Sequence, residues 1–125
     1  MKRNYSFYVY IMSNFERTCY YIGFCNNIVR RTIEHTHGIG CKFSRKYKTN
    51  DLLYYELYKY VNSAMSRERE IKKWRREKKL ALIQAKNPEL KSLNQQLFDD
   101  YGIARSDIIK IVLELKEKYK CDKTY

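Results

Sequence analysis

Residues 20–38 read Tyr20-Tyr21-Ile22-Gly23-Phe24-Cys25-Asn26-Asn27-Ile28-Val29-Arg30-Arg31-Thr32-Ile33-Glu34-His35-Thr36-His37-Gly38, and the fold turns on how this stretch divides. Its first five residues are aromatic or β-branched around one glycine, the composition of a strand. Asn26 or Asn27 then offers a side-chain oxygen to the free N–H groups at the start of a helix, and Gly38 stops that helix. The spacing predicts a helix from Ile28 to about His37. Residues four apart share a helix face, so Arg31 and His35 project together. A guanidinium and an imidazole just past a tight strand-to-helix turn form a cationic pair, and that geometry suits a phosphate.

Working outward, Phe7-Tyr8-Val9-Tyr10-Ile11-Met12 alternates with period two, which sets Phe7, Val9 and Ile11 on one face of a strand and Tyr8 and Tyr10 on the other. Residues 13–18 form a polar connection of hairpin length, so an antiparallel pair follows, in which one register places Tyr10 and Tyr21 on the same face and the sequence alone does not fix the register. Leu52-Leu53-Tyr54-Tyr55-Glu56-Leu57-Tyr58 supplies a third strand with little alternation, as expected of a central strand covered on both faces. Between them runs a basic loop, Lys42-Phe43-Ser44-Arg45-Lys46-Tyr47-Lys48. Lys42, Arg45 and Lys46 interleaved with aromatic rings suit a nucleic-acid backbone, and Phe43 and Tyr47 equally suit anchoring the loop to the core.

A helix is expected from Ser63 to about Ala85, capped by Ser63 and closed by Pro88 after Asn87. Between Arg67 and Lys79 there are eight lysines and arginines against three glutamates, so its exposed side, with Lys72, Lys73, Arg75 and Arg76, is a cationic ridge. Glu68 breaks the pattern, because it falls inside an apolar stripe of Ala64, Met65, Ile71 and Trp74. Burying an unpaired carboxylate costs several kcal/mol, comparable with the whole stability of a small domain. Glu68 therefore needs a partner, either a cationic side chain such as Arg31 or a metal ion.

At 125 residues the length suits one globular unit with its own core. With 26 lysines and arginines against 14 aspartates and glutamates, the net charge of +12 directs the surface to polyanions. No run approaches the apolar length needed to span a bilayer, and the start Met1-Lys2-Arg3-Asn4-Tyr5 leads into a segment too short and too aromatic for a signal-peptide core, so a cytoplasmic protein is expected. Cys19, Cys25, Cys41 and Cys121 make no close pair, and reduced structural thiols are expected rather than zinc, even with His35 and His37 nearby.

Towards the carboxyl end, Ser106 or Asp107 caps a final helix in which Ile108, Ile111, Val112, Leu115 and Tyr119 make an apolar stripe opposite Lys110, Glu114, Lys116 and Glu117. That stripe must be covered by the rest of the chain, by a second copy, or by a partner protein. Leu97, Phe98 and Tyr101 suit packing against it in any of these arrangements.

Tyr21-Ile22-Gly23 with Arg31 and His35 downstream, preceded by Tyr8-Val9-Tyr10, resembles the paired signature of the GIY-YIG nuclease superfamily, and more closely its small stand-alone bacterial members. The likeness continues through Phe43-Ser44-Arg45-Lys46-Tyr47, Leu53-Tyr54-Tyr55-Glu56, Ala64-Met65-Ser66-Arg67-Glu68, Ile71-Lys72-Lys73-Trp74 and Asn87-Pro88, about three quarters of the chain. In the first motif a tyrosine replaces the glycine of the family name, while the motif's last tyrosine, Tyr10, is intact. The resemblance implies an α+β domain over residues 1–94, a three-stranded, mostly antiparallel sheet flanked by helices, with a helical extension over residues 95–125. It also implies an endonuclease acting on DNA in repair, recombination or mobile-element processing. Two motif tyrosines, the arginine and histidine of the first helix, and a metal-binding glutamate on a later helix would carry the reaction.

The residues supply each role that phosphodiester hydrolysis requires. Tyr10, with Tyr21 as the alternative, is a base once a cation lowers its pKa from about 10. Arg31 grips non-bridging oxygens, and His35 hydrogen-bonds the tyrosine or the phosphate. Glu68 binds one Mg²⁺ or Mn²⁺ ion, since one carboxylate suffices for Mg²⁺ with waters and a phosphate. The competing reading is a basic nucleic-acid-binding module without turnover.

Overall fold

The structure, a computed structural model, describes residues 6–40 and 42–120. The thiols of Cys41 and Cys121 and the basic start at residues 1–5 lie outside the described residues. Three strands, β1 (Phe7–Ser13), β2 (Tyr20–Cys25) and β3 (Asp51–Tyr58), form an antiparallel sheet in the order β2-β1-β3. The expectation of a central third strand is corrected: β1 is central, and β3 is an edge. Little alternation along β3 has another cause, an irregularity opposite Ile11 and Met12, where Leu53 is left without a partner in the register. It lets Leu53 and Tyr54 both join the core on one side of the sheet.

β1 keeps the alternation of its sequence. Val9 and Ile11 pack with Ile22, Leu53 and Tyr54 against Ala64 and Ile71 of α3 (Val61–Lys72) and Ile83 of α4 (Arg76–Lys86). Tyr10 and Met12 pack on the opposite face with Cys25, Leu52, Leu97 and Ile28, the first residue of α1 (Ile28–Thr36). Asn27 is the cap of α1, its side chain accepting the Arg30 N–H at 3.0 Å. Gly38, at φ +64°, ends the helix in the left-handed conformation, and the Ile39 N–H reaches back to the Glu34 carbonyl at 2.8 Å.

Two further expectations are corrected. The basic loop is a short helix, α2 (Lys42–Tyr47). The long helix is two, broken at residues 73–75, and α3 begins after Tyr60, so Ser63 lies inside its first turn rather than capping it. A partly buried ion pair pins α3 to the sheet. Glu56 on β3 takes the Arg67 fork at 2.9 and 3.0 Å and the hydroxyls of Tyr58, at 2.6 Å, and Tyr54. Burial opposes the Glu56 charge, yet these donors hold its carboxyl below the usual carboxylate range.

The final helix, α6 (Arg105–Lys120), lays Val112, Leu115 and Tyr119 against Ile33 and Val29 of α1 and Phe98 of α5 (Asn94–Asp100). The stripe is thus covered within the chain. Neither Ser106 nor Asp107 precedes the helix. Asp107, in its first turn, reaches back to the Ala104 N–H at 2.9 Å.

Candidate active site

Antiparallel pairing sets Tyr10 opposite Gly23, and the Tyr10 ring crosses the space a side chain there would fill: a Cβ at Gly23 would stand 2.5 Å from the Tyr10 hydroxyl oxygen. The glycine of Tyr21-Ile22-Gly23 is therefore needed for close approach, at a backbone conformation that any residue can adopt. Tyr21, two residues earlier on β2, lies on the same face, its ring centre 6.2 Å from that of Tyr10. His35, two turns into α1, sits beneath both, 5.7 Å from the Tyr10 ring and 4.9 Å from the Tyr21 ring. Arg31, one turn earlier on the same helix, lies within electrostatic reach of both phenols. Burial disfavours the Arg31 charge, but Tyr10, Glu34 and Tyr21 more than offset this, and its proton is held more firmly than usual.

Exposure divides this group. Tyr10 is 1% and His35 0% exposed, whereas Tyr21 is half-buried and the Arg31 side chain is 39% exposed. Arg31 and Tyr21 face outward, and Tyr10 and His35 form the layer below. His35 is consequently not a cation: burial first, and Arg31 second, push its pKa down from 6.5 to about 4. The expected cationic pair is a single cation, Arg31, beside a neutral ring.

The depressed value has a thermodynamic consequence. A histidine charged near pH 6.5 when unfolded and near 4 when folded stabilises the fold fully above pH 6.5, and that contribution is lost as pH falls from 6.5 to 4. The loss is on the order of 3 kcal/mol. Denaturant unfolding of the wild type and His35→Gln at pH 7 and pH 4.5 checks this, with a steeper fall expected in the wild type.

Glu68 lies where the sequence placed it, buried at 9% exposure between Ala64 and Ile71 on α3. Its cationic neighbour is Lys72, one turn on in the same helix, with Nζ 2.7 Å from the carboxylate. The Lys72 side chain is 55% exposed, so the carboxylate has one flexible counter-ion and keeps acceptor capacity for a hard cation. Among the described residues no three His, Cys, Asp or Glu side chains cluster as metal ligands. This donor set suits one hydrated ion such as Mg²⁺, shared with a phosphate, rather than an ion caged by protein. Glu68 and the tyrosines are not on one side of the sheet. α3 packs against the Val9 and Ile22 face, and Tyr10, Tyr21 and α1 occupy the other.

The cations divide similarly. Lys42, Arg45 and Lys46 are exposed on α2, whose Phe43 stacks 5.3 Å from Tyr21. Lys72, Lys73 and Arg75 are exposed at the end of α3 and the break after it. Arg76 is largely occupied: it donates to the carbonyls of Thr18 and Arg17 at 2.8 and 2.9 Å and stacks over Tyr20, tying α4 to the β1–β2 connection. Asn87 is likewise structural, bonded to the Leu53 carbonyl and to both backbone groups of Lys91.

Several participants were not found from sequence. Glu34, 5% exposed, stands 3.7 Å from Arg31 Nε and accepts the Tyr119 hydroxyl at 3.0 Å, so the final helix reaches the neighbourhood of Arg31. Its position three after Arg31 on a helix was the available signal. Ser44 and Thr49, both buried, complete the hydrogen bonding of His35, and no local pattern marks Thr49.

Paired motif tyrosines thus stand on a three-stranded antiparallel sheet, with an arginine and a histidine one turn apart on the following helix. The GIY-YIG catalytic domain model matches residues 6–81, and the chain belongs to that family. Among its relatives, the UPF0213 protein CPE1444 of Clostridium perfringens is 38% identical over 80 residues, covering 64% of this chain and 85% of the relative. The UPF0213 protein SSP2268 of Staphylococcus saprophyticus is 36% identical over 76 residues, covering 61% and 92%. The solution structure of the UPF0213 protein BH0048 from Bacillus halodurans is 28% identical, covers 67% of this chain and 88% of that one, and superposes with a TM-score of 0.45. Nucleases of the family act on DNA and generally use divalent metal ions. Among the described residues, no helix is long and apolar enough to cross a membrane.

Proposed function

We propose that the protein is a divalent-metal-dependent endonuclease that hydrolyses DNA phosphodiester bonds, with Arg31 and Tyr21 at the mouth of the site and Tyr10 and His35 as the layer that positions them. The observation that carries this reading is the convergence of Tyr10, Tyr21, Arg31 and His35 on one face of the sheet with an exposed guanidinium. A scissile phosphate along the edge of β2 meets Arg31, whose planar donors match its non-bridging oxygens. Tyr21 is favoured over Tyr10 as base because it reaches solvent while Tyr10 is 1% exposed. The Tyr21 phenolate, favoured by the Arg31 charge, takes a proton from water. The hydroxide formed attacks phosphorus, the bond to the leaving nucleotide oxygen breaks, and that oxygen is protonated from solvent. Glu68 would hold the metal ion; α3 packs across the sheet from Arg31 but also contacts β2, an edge strand, so the ion would meet the phosphate round that edge, where it would neutralise phosphate charge.

Both groups of cations, Lys42, Arg45 and Lys46 on one side and Lys72, Lys73 and Arg75 on the other, would follow the flanking backbone. We retain residues 1–94 as the nuclease-like unit and 95–125 as a helical extension, in which Leu97 of α5 packs on the Tyr10 face of the sheet and α6 packs on Val29 and Ile33 of α1. Work in repair, recombination or mobile-element processing is part of the same proposal.

The test is a cleavage panel of supercoiled plasmid, duplex, flapped and junction DNA, with Mg²⁺ or with chelator, for the wild type and Glu68→Ala. The wild type is expected to cut with Mg²⁺ alone, and Glu68→Ala to bind DNA with the same salt sensitivity but not to cut. Cutting by Glu68→Ala at the wild-type rate would remove the metal assignment. Salt-sensitive binding without cutting by the wild type on every substrate would leave the binding-module reading.

A further inference from the structure

A cleft to which the proposed reaction assigns no part lies where the chain leaves α1. The turn after that helix, His37-Gly38-Ile39-Gly40, meets α2 and α6, and these three elements enclose about 410 Å³ lined by the four turn residues, Arg45, Lys116 and Tyr119. Its walls are held by close packing. Gly38, at φ +64°, has the stem of Arg45 across it, and a Cβ there would stand 2.9 Å from Arg45 Cγ. Gly40, at φ +75°, has the Tyr119 ring across it, and a Cβ there would stand 2.9 Å from the Tyr119 hydroxyl oxygen. Glycine is needed at both positions for the left-handed backbone and for the missing side chain. Ile39, between them, is buried in one cluster with Val112 and Leu115, which fastens the turn to α6.

The chemistry of the lining is one-sided. Among the described residues no aspartate or glutamate lines the cleft, and Arg45, Lys116 and His37 enter no ion pair. Burial first, and the Lys116 ammonium second, hold the His37 pKa below its usual value, so Lys116 stands within electrostatic reach of the ring. Basic groups brought from three elements to one concave surface disfavour one another's charge, and an anion among them reverses that. A guanidinium fork, an ammonium and an imidazole N–H offer donors from several directions, which suits the oxygens of a phosphate. The volume leaves room for such a group and several waters at about 30 Å³ each. The cleft is also joined to the proposed site. Glu34 accepts the Tyr119 hydroxyl at 3.0 Å and stands 3.7 Å from Arg31 Nε, so one carboxylate links the wall of the cleft to that arginine. His37 caps the helix that carries Arg31, about 9 Å further along its axis, a distance that roughly three phosphate steps of a duplex strand cover.

We propose that the cleft between the turn at residues 37–40, α2 and α6 is a second phosphate site, in which Arg45, Lys116 and His37 hold a phosphate group of bound DNA. The group is a phosphodiester of the backbone or a terminal phosphate monoester, which present the same oxygens. Through Lys116 the helical extension takes part in holding the nucleic acid. That this fixes the strand whose scissile phosphate Arg31 grips rests on the nuclease reading, but the binding of phosphate in the cleft does not.

The experiment has two arms, both on the full chain and without Mg²⁺. The first is an NMR titration at pH 7 with sodium phosphate, set against sodium chloride of equal ionic strength. The second measures binding to two duplexes of one sequence, one with 5′-hydroxyl and one with 5′-phosphate ends. In the wild type, phosphate is expected to shift the Gly38, Ile39 and Gly40 amides and the His37 ring beyond what chloride does. Lys116→Gln is expected to weaken phosphate binding roughly tenfold, the size of one lost hydrogen bond to a charged group. Lys110→Gln, which removes the same charge from α6 outside the cleft, is expected to leave it unchanged. Weaker binding of both duplexes by Lys116→Gln, with a salt slope lower by about one, assigns a backbone phosphodiester. A loss confined to the 5′-phosphate duplex assigns the terminal monoester. Phosphate shifts no larger than those of chloride overturn the proposal, as do equal losses from Lys116→Gln and Lys110→Gln, or undiminished binding of both duplexes by Lys116→Gln. Phosphate and DNA held as expected by a wild type that cuts no DNA would remove the nuclease reading and leave the second phosphate site standing.

Discussion

Arg31→Ala is expected to slow single-turnover cleavage by roughly 10²- to 10³-fold, the loss typical when one preorganised donor to a developing oxyanion is removed. The reason lies in where Arg31 stands. It is the cation one turn from His35 and within reach of both motif tyrosines, with its side chain open to solvent and its charge reinforced by Tyr10 and Glu34. Arg31→Lys keeps the charge but not the planar fork, and a partial recovery is expected. Both variants should remain folded, because Glu34 keeps its hydrogen bond from Tyr119 when the guanidinium is removed.

The control is the ridge. Neutralising Lys73 and Arg75 together should weaken DNA binding and lower its salt dependence by about two in the log–log slope if each meets one phosphate, while leaving the rate at saturating DNA unchanged. Arg76 is unsuitable for this purpose, since its guanidinium holds the Thr18 and Arg17 carbonyls and its loss would disturb the hairpin. Equal losses of rate from Arg31→Ala and from the ridge variant would mean that the catalytic site and the DNA-tracking surface have been confused.

The hairpin, the first helix and its two caps were legible because local physics decides them. Period-two alternation around Tyr10, an asparagine before Ile28 and a glycine at position 38 each act within a few residues. Glu68 was legible for a different reason: a carboxylate in an apolar stripe is conspicuous at helical spacing, and the structure buries it there. What escaped depends on contacts distant in the chain. The place of β1 between its two neighbours, the turn at residues 73–75 and the ion pair of Arg67 with Glu56 are set by packing that no short window contains. The charge state of His35 was misread for the same reason. Its spacing from Arg31 suggested two cations, but burial by residues from three other elements leaves one. Thr49 joins the site through hydrogen bonds with Ser44 and leaves no periodic trace, and the stripe that revealed Tyr119 gave no sign that its hydroxyl meets Glu34.

The proposed chemistry comes down to one hydroxyl. Tyr21→Phe removes that oxygen and keeps the ring that stacks on Phe43 and His35, so the surrounding packing and the cationic surface are retained. A drop in Mg²⁺-dependent plasmid nicking is expected on the scale of a lost general base, about 10²- to 10⁴-fold, with DNA affinity and thermal stability near the wild type. Nicking by Tyr21→Phe at the wild-type rate would contradict the assignment of a phenolate base at this site.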